Sequence, residues 1–274
     1  MQEYIGYACF VIIGLTLGLI GGGGSALAMP VLLYLLHYGL NDAKSYSLFI
    51  VGITALIGGI SFLKRGDISI EAMYLFAIPS VIAVFCTRKF VEPALPETFF
   101  TIGDFAASKQ FVLMTLFGII ILISSLGMIR KKKNPRRKDL MWGEFYRSPI
   151  HIPFIIVLGI AVGFLTGIFG VGGGFIIIPV LVIFLRVPMK KAIGTSLGII
   201  AINSLIGFTS GFCRQTIDWK FLLIVSLLSV AGIFIGSYLS KFISGKKLKP
   251  AFGWFILLVG IFIINYELFL KPKQ

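Results

Sequence analysis

Long runs of apolar residues alternate with short polar segments along the whole chain. The runs cover residues 4–36, 44–63, 70–88, 110–129, 152–185, 192–213, 219–240 and 250–270. A helix needs roughly 20 apolar residues to cross a bilayer, and these runs reach or approach that length. They lack the strict apolar–polar alternation of a membrane β-barrel strand. The pattern therefore predicts an all-α polytopic membrane protein.

The second group of runs repeats the first in one fixed register. A shift from Gly14 to Gly163 also pairs Gly18, Gly21, Gly23, Gly24, Pro30 and Ser47 with Gly167, Gly170, Gly172, Gly173, Pro179 and Ser196. Matching positions of this kind indicate an internal duplication. We predict a first repeat over residues 1–129, a basic linker over 130–149 and a second repeat over 150–274.

The first run of each repeat is interrupted by glycines. The interruptions read GLIGGGGSALAMP from Gly18 to Pro30 and GIFGVGGGFIIIP from Gly167 to Pro179. A straight helix of either run would reach about 50 Å, whereas the hydrocarbon core of a bilayer is about 30 Å thick. We therefore predict that each run is a hairpin, over 4–36 and 152–185, which turns at the glycines. Three transmembrane helices follow it in each repeat, and a single crossing of the run is the alternative.

The distribution of charge indicates how the chain lies in the membrane. The sequence has 25 Lys and Arg against 11 Asp and Glu, and eight of the basic residues lie between Arg130 and Arg147. Because cytoplasmic loops are enriched in Lys and Arg, the linker is predicted to be cytoplasmic. Hairpins then put most basic residues of the second repeat on that same side, which favours inverted over parallel repeats. Basic loops of this kind give no indication of nucleic-acid binding.

The glycine-rich interruptions are also the candidate binding site. Irregular backbone at membrane depth persists only where it is buried in protein or lines a watery cavity. A break followed by a new helix directs free N–H groups and a positive helix end to one point, which suits an anion. The candidate substrate-binding residues are Gly22, Gly23, Gly24, Ser25, Ser47, Gly172, Gly173, Gly174, Thr195, Ser196 and Asn203. The alternative is that the glycines only allow close helix packing.

Residue types that the apolar runs lack narrow the function further. No run has a central Asp, Glu or Lys, and the three cysteines and two histidines are scattered. Cation transport, metal binding and catalysis normally need such groups inside the protein. We therefore predict no catalytic residue, no metal and no cofactor, and a small anion as the partner besides the lipid bilayer. An anion channel and a non-transporting scaffold or enzyme are the rivals; a coupling ion (H⁺ or Na⁺) and homo-oligomers stay open.

The two glycine-rich elements resemble those of a known family. Together with KKAIGTSL at Lys190–Leu197 and the weaker AKSYSL at Ala43–Leu48, they are similar to the sulfite exporter TauE/SafE family of membrane permeases. The resemblance covers essentially the whole chain. It implies a transporter of the prokaryotic inner membrane for sulfite, sulfonates or related organic acids, with no bound cofactor. Alternating access at a site between the two breaks is the mechanism that we expect.

Overall fold

The computed structural model describes residues 2–102, 105–129, 151–211 and 217–270. Its helices are α1 (Gln2–Ile20), α2 (Gly23–Pro30), α3 (Leu40–Lys64), α4 (Ile70–Cys86), α5 (Glu92–Ala94), α6 (Lys109–Ile129), α7 (Ile152–Phe169), α8 (Gly174–Pro179), α9 (Met189–Gly211), α10 (Trp219–Leu239) and α11 (Gly245–Asn265). Wider π-helical turns follow four of them, at Val31–Leu35, Thr87–Val91, Val180–Phe184 and Tyr266–Leu270. The predicted cytoplasmic linker lies outside the described residues.

The described chain is mostly helical, as the apolar runs predict. Seven of its helical segments are long and apolar enough to cross a membrane. They are Leu40–Lys64, Ile70–Ala94, Lys109–Ile129, Ile152–Phe169, Met189–Gly211, Trp219–Leu239 and Gly245–Phe269. One short antiparallel strand pair, β1 (Thr98–Ile102) with β2 (Phe105–Ser108), precedes α6 and was not expected from the sequence.

The first apolar run of each repeat has the same local conformation. Pro30 and Pro179 end α2 and α8, and each is followed by a π-helical turn. The turns close with equivalent backbone bonds, in which the N–H groups of Leu36 and Leu185 donate to the carbonyl oxygens of Val31 and Val180, both at 3.1 Å. The residues after them, His37 and Arg186, both have positive φ, at 56° and 54°. The two runs thus match here in backbone as well as in sequence.

Each glycine-interrupted run folds back on itself. In the first, Leu36 at the end of the returning arm packs on Gly6 near the start of α1, so that a β-carbon on Gly6 would lie 2.7 Å from a methyl of Leu36. In the second, the rings of Phe154 and Phe184 contact each other, with centroids 6.2 Å apart. Both runs therefore begin and end close together.

The two halves are packed into each other. Helix α1 packs on α10, the equivalent α7 packs on α4, and α6 packs on α11. The equivalent helices α3 and α9 are neighbours at the centre, and they run antiparallel, since Gly207 lies against Leu48 and Gly59 faces Leu197. This arrangement surrounds both glycine-rich breaks with protein.

Candidate functional site

The two glycine-rich breaks meet at the centre of the molecule. A β-carbon on Gly174 would lie 2.7 Å from the Cα atom of Gly22 and 2.8 Å from the Oγ atom of Ser25. A β-carbon on Gly22 would overlap the carbonyl oxygen of Gly174. Helix α2 begins at Gly23 and α8 at Gly174. Their N-cap residues, Gly22 and Gly173, have no side chain that could cap the helix. The contact therefore brings two helix N-termini together, one from each half.

The second break has the more irregular backbone. Gly172 and Gly173 have φ of 72° and 74°, a region that residues with a β-carbon rarely adopt. A β-carbon on Gly172 would lie 2.7 Å from the Oγ atom of Ser204, and one on Gly173 would overlap the Oγ1 atom of Thr166. Val51, halfway along α3, also contacts Gly172. Two hydroxyl groups thus lie directly against the backbone of this break.

Four buried polar groups near the centre are left without a hydrogen-bond partner among the described residues. They are the hydroxyls of Ser47, Thr166 and Ser204 and the Oδ1 atom of Asn203, and all four residues are fully buried. An unpaired buried polar group costs about 1–3 kcal/mol, so such groups are rare without a functional or solvent partner. Hydroxyls beside free helix N-termini can donate to the oxygens of an oxyanion.

Four predicted site residues have hydrogen-bond partners in the protein, although the Oδ1 atom of Asn203 has none among the described residues. The Oγ1 atom of Thr195 accepts from the N–H of Ser69 at 2.9 Å. The hydroxyls of Ser196 and Ser25 donate to backbone carbonyls three residues earlier, at 2.8 and 2.7 Å. The Nδ2 group of Asn203 donates to the Oγ atom of Ser80 at 2.7 Å. Ser25 remains at the contact between the breaks, whereas the bond of Thr195 joins the start of α4 to α9.

Two glycines of the first break contact helices of the protein. Gly23 faces the ring of Phe255 on α11, from which its β-carbon would lie 3.0 Å. Gly24 lies against the turn of α1 that contains Ile13 and Thr16. The two breaks therefore have different neighbours and are not chemically equivalent.

Sequence reasoning missed Thr166 and Ser204. Their equivalents in the first repeat are Leu17 and Ala55, so both positions depart from the repeat by exchanging an apolar for a polar residue. That departure is a signal which comparison of the two halves could have found. Its value becomes clear only when the fold brings both hydroxyls to Gly172 and Gly173.

The fold, with its seven long apolar helical segments among the described residues, defines a multi-pass α-helical membrane protein. The chain belongs to the sulfite exporter TauE/SafE family, whose sequence profile matches residues 6–263. This confirms the resemblance drawn from the glycine-rich elements.

Curated relatives carry names of the same kind. The chain is 27% identical to a probable membrane transporter protein of Xylella fastidiosa strain Temecula1, over 92% of this chain and 91% of the relative. It is 26% identical to a probable membrane transporter protein of Methanocaldococcus jannaschii, over 93% and 94% of the two chains. No solved structure is significantly similar to it. The chain is thus a member of a family of membrane transporters.

Proposed function

We propose that the protein moves a small anion across the prokaryotic inner membrane by alternating access at the meeting point of the two breaks. The substrate class is sulfite, a sulfonate or a related organosulfur or organic acid. The observation that carries the proposal is the pair of buried, unpaired hydroxyls of Thr166 and Ser204 against the left-handed backbone of Gly172 and Gly173. An oxyanion held there would satisfy both hydroxyls.

Charge at the centre also supports an anionic substrate. Two helix N-termini point to the contact between the breaks, and each carries a partial positive charge. The buried carboxylates in the described part of the chain, Glu92 and Glu267, are bonded elsewhere, to Lys44 and Arg88 and to Tyr34. A cation would lack the oxygen-rich, negatively charged surroundings that it needs.

The relation between the halves supports alternating access. The antiparallel contact of α3 with α9 is what inverted repeats would produce, and each hairpin begins and ends at one place. In transporters with inverted repeats, rocking of one repeat against the other opens a central site to either side. Here the central contact joins Gly22 of the first repeat to Gly174 of the second, so relative movement of the repeats would alter it directly.

Uptake of radiolabelled sulfite and small sulfonates into proteoliposomes tests the proposal. Thr166→Val and Ser204→Ala each remove one hydroxyl with little change in volume. A hydrogen bond to a charged group contributes about 1.5–3 kcal/mol, so each change should raise the KM by about tenfold or more. Ser226→Ala is the matched control, because the Ser226 hydroxyl on α10 is also buried without a partner in the described chain. We expect it to transport like the wild type.

The other outcomes separate the rival functions. Accumulation of the anion against its gradient, driven by an imposed ion gradient, is expected of a transporter and excludes a channel. Flux of every anion strictly down its gradient would favour the channel. If the wild type moved none of these anions, a scaffold or an enzyme would be the better hypothesis. If Thr166→Val, Ser204→Ala and Ser226→Ala changed the KM equally, the second break would not be the binding site.

A further inference from the structure

A solvent-accessible cavity away from the glycine breaks lies between the start of α3, α5 and the start of α6. Its volume is about 580 Å³. Its lining includes Arg88 and Glu92 near the end of the α4 segment and Lys109 at the start of α6. Gly211 at the end of α9 also lines it, so both halves of the protein contribute. We call it the α3–α6 cavity.

Two residues that line the α3–α6 cavity, Arg88 and Glu92, form a buried cluster with Lys44, which does not line it. The Nζ atom of Lys44 donates to Oε1 of Glu92 and the Nη1 atom of Arg88 donates to Oε2, both at 2.8 Å. The side chains of Lys44 and Arg88 are 0% and 3% exposed. Glu92 is thus bonded to both basic side chains at once.

Lys109 adds another buried basic side chain to the same wall. The residue is 5% exposed, and its Nζ atom donates to the backbone carbonyls of Glu92 and Leu95 at 3.2 and 3.5 Å. Its ion-pair partner Glu97 is 3.9 Å away and has a side chain that is 86% exposed. An ion pair with so exposed a carboxylate is weak. Asp42, the other acidic lining residue, is half-buried at the rim.

In the described part of the chain, three basic side chains and one carboxylate are buried here, so the buried groups favour an anion over a cation. We propose that the α3–α6 cavity is a second anion-binding site, in which Lys109 contacts a small oxyanion and Arg88 stabilises it by charge. The inference rests on the proposed function, since the anion is the transported one. Arg88 donates to Glu92, Ser45 and the carbonyl of Gly207, whereas Lys109 donates to two backbone carbonyls at 3.2 and 3.5 Å, so we assign the contact to Lys109.

Lys44 connects the α3–α6 cavity to the central site. A β-carbon on Gly170, at the start of the second break, would lie 2.6 Å from the Cβ atom of Lys44. The ammonium group of the same lysine contacts Glu92 in the cavity wall. Glu92 and Lys44 therefore connect the wall of the cavity to the segment that leads to Gly172 and Gly173. The cavity has the position of a vestibule, where the substrate waits before it reaches the centre.

Binding and transport of radiolabelled sulfite by the full-length protein test this inference. In detergent, the wild type should bind two sulfite ions per chain and Lys109→Gln one. In phosphatidylcholine liposomes, Lys109→Gln should raise the KM by about tenfold, as loss of a charged hydrogen bond would, with kcat unchanged. Lys109→Arg should restore the KM. Lys89→Gln is the matched control, because Lys89 lies over the rings of Phe85 and Phe90 and does not line the cavity.

The outcomes distinguish the vestibule from the central site. Wild-type transport with one sulfite bound per chain, or equal KM values for Lys109→Gln and Lys89→Gln, would overturn the vestibule and leave the proposed function standing. An effect of Lys109→Gln that appears only when phosphatidylglycerol is added would mean that a lipid headgroup is the ligand. Absence of all binding and transport in the wild type would overturn both proposals. Thermal melts identify any variant that fails to fold.

Discussion

Gly22 is the residue of the first break that packs on the backbone of the second break. Any β-carbon there would overlap the carbonyl group of Gly174, and backbone cannot move aside as a flexible side chain can. We predict that Gly22→Ala lowers the free energy of unfolding by about 1–3 kcal/mol, as overpacking does. A lower melting temperature of the purified protein and loss of anion uptake would show both effects.

Gly59→Ala is the control for this substitution. Gly59 lies within α3, and a β-carbon there would have no atom nearer than 3.8 Å. Alanine is favoured over glycine in a helix by up to about 1 kcal/mol, so this variant should melt at the same temperature as the wild type or higher. If both variants melted alike, the close contact between Gly22 and Gly174 would not exist as described.

Single residues show where sequence reasoning reaches its limit. The repeated glycines could be predicted to matter, because Gly21 to Gly24 interrupt an apolar run and recur in the second repeat. That Gly22 would meet Gly174 was a hypothesis, since no spacing along the chain reports a contact between distant segments. The ion cluster was missed because Lys44 lies at the start of one apolar run and Arg88 and Glu92 lie at and just beyond the end of another, where charged residues are expected at the membrane surface.

At the scale of elements, the returning arms of the hairpins are the least conventional feature. If the second run crossed the membrane once, positions 154 and 184 would be about 45 Å apart at 1.5 Å per residue. In the structure the rings of Phe154 and Phe184 are 6.2 Å apart. We predict that Phe154→Cys and Phe184→Cys form a disulfide on oxidation with copper-phenanthroline, in a background that lacks Cys9, Cys86 and Cys213.

A second cysteine pair controls for unspecific oxidation. Phe154 and Phe164 are both exposed on α7, ten residues and therefore about 15 Å apart. Phe154→Cys with Phe164→Cys should stay reduced under the same conditions, as peptide mass spectrometry can establish. Cross-linking of this pair but not of 154 with 184 would contradict a hairpin that returns to its starting face.

Helix boundaries illustrate what periodicity and composition can supply. Helix α3 begins at Leu40, four residues before the apolar run starts, because the polar residues of its first turns continue the helix. Lys44, on these turns, is buried through its bond to Glu92. The π-helical turns after Pro30 and Pro179 were also not predicted. They depend on hydrogen bonds between residues five positions apart, and these leave no periodic pattern in the sequence.

At the scale of the whole molecule, charge and helix packing both bear on whether the two repeats are inverted. The basic linker and the basic residues near Lys190 and Lys241 suggest a cytoplasmic face, whereas Lys109 and Arg88 belong to the opposite end of the helices. Within the cavity, Gly39 before α3 lies near Gly211 at the end of α9. At the other end, Gly245 packs beside Met189 at the start of α9. Equivalent helices thus begin at opposite ends of the molecule.

Asn41 and Lys190 turn this arrangement into a test of the inverted repeat. They are equivalent in the two halves, are both exposed, and lie at the starts of α3 and α9. We predict that Asn41→Cys reacts with a membrane-impermeant maleimide only from outside the cell, and Lys190→Cys only after the membrane is opened. The physical reason is that positive charge near Lys190 is retained in the cytoplasm during insertion. Parallel repeats would expose both cysteines on one side of the membrane. Labelling of both cysteines in intact cells would therefore exclude an inverted repeat, and with it the rocking mechanism.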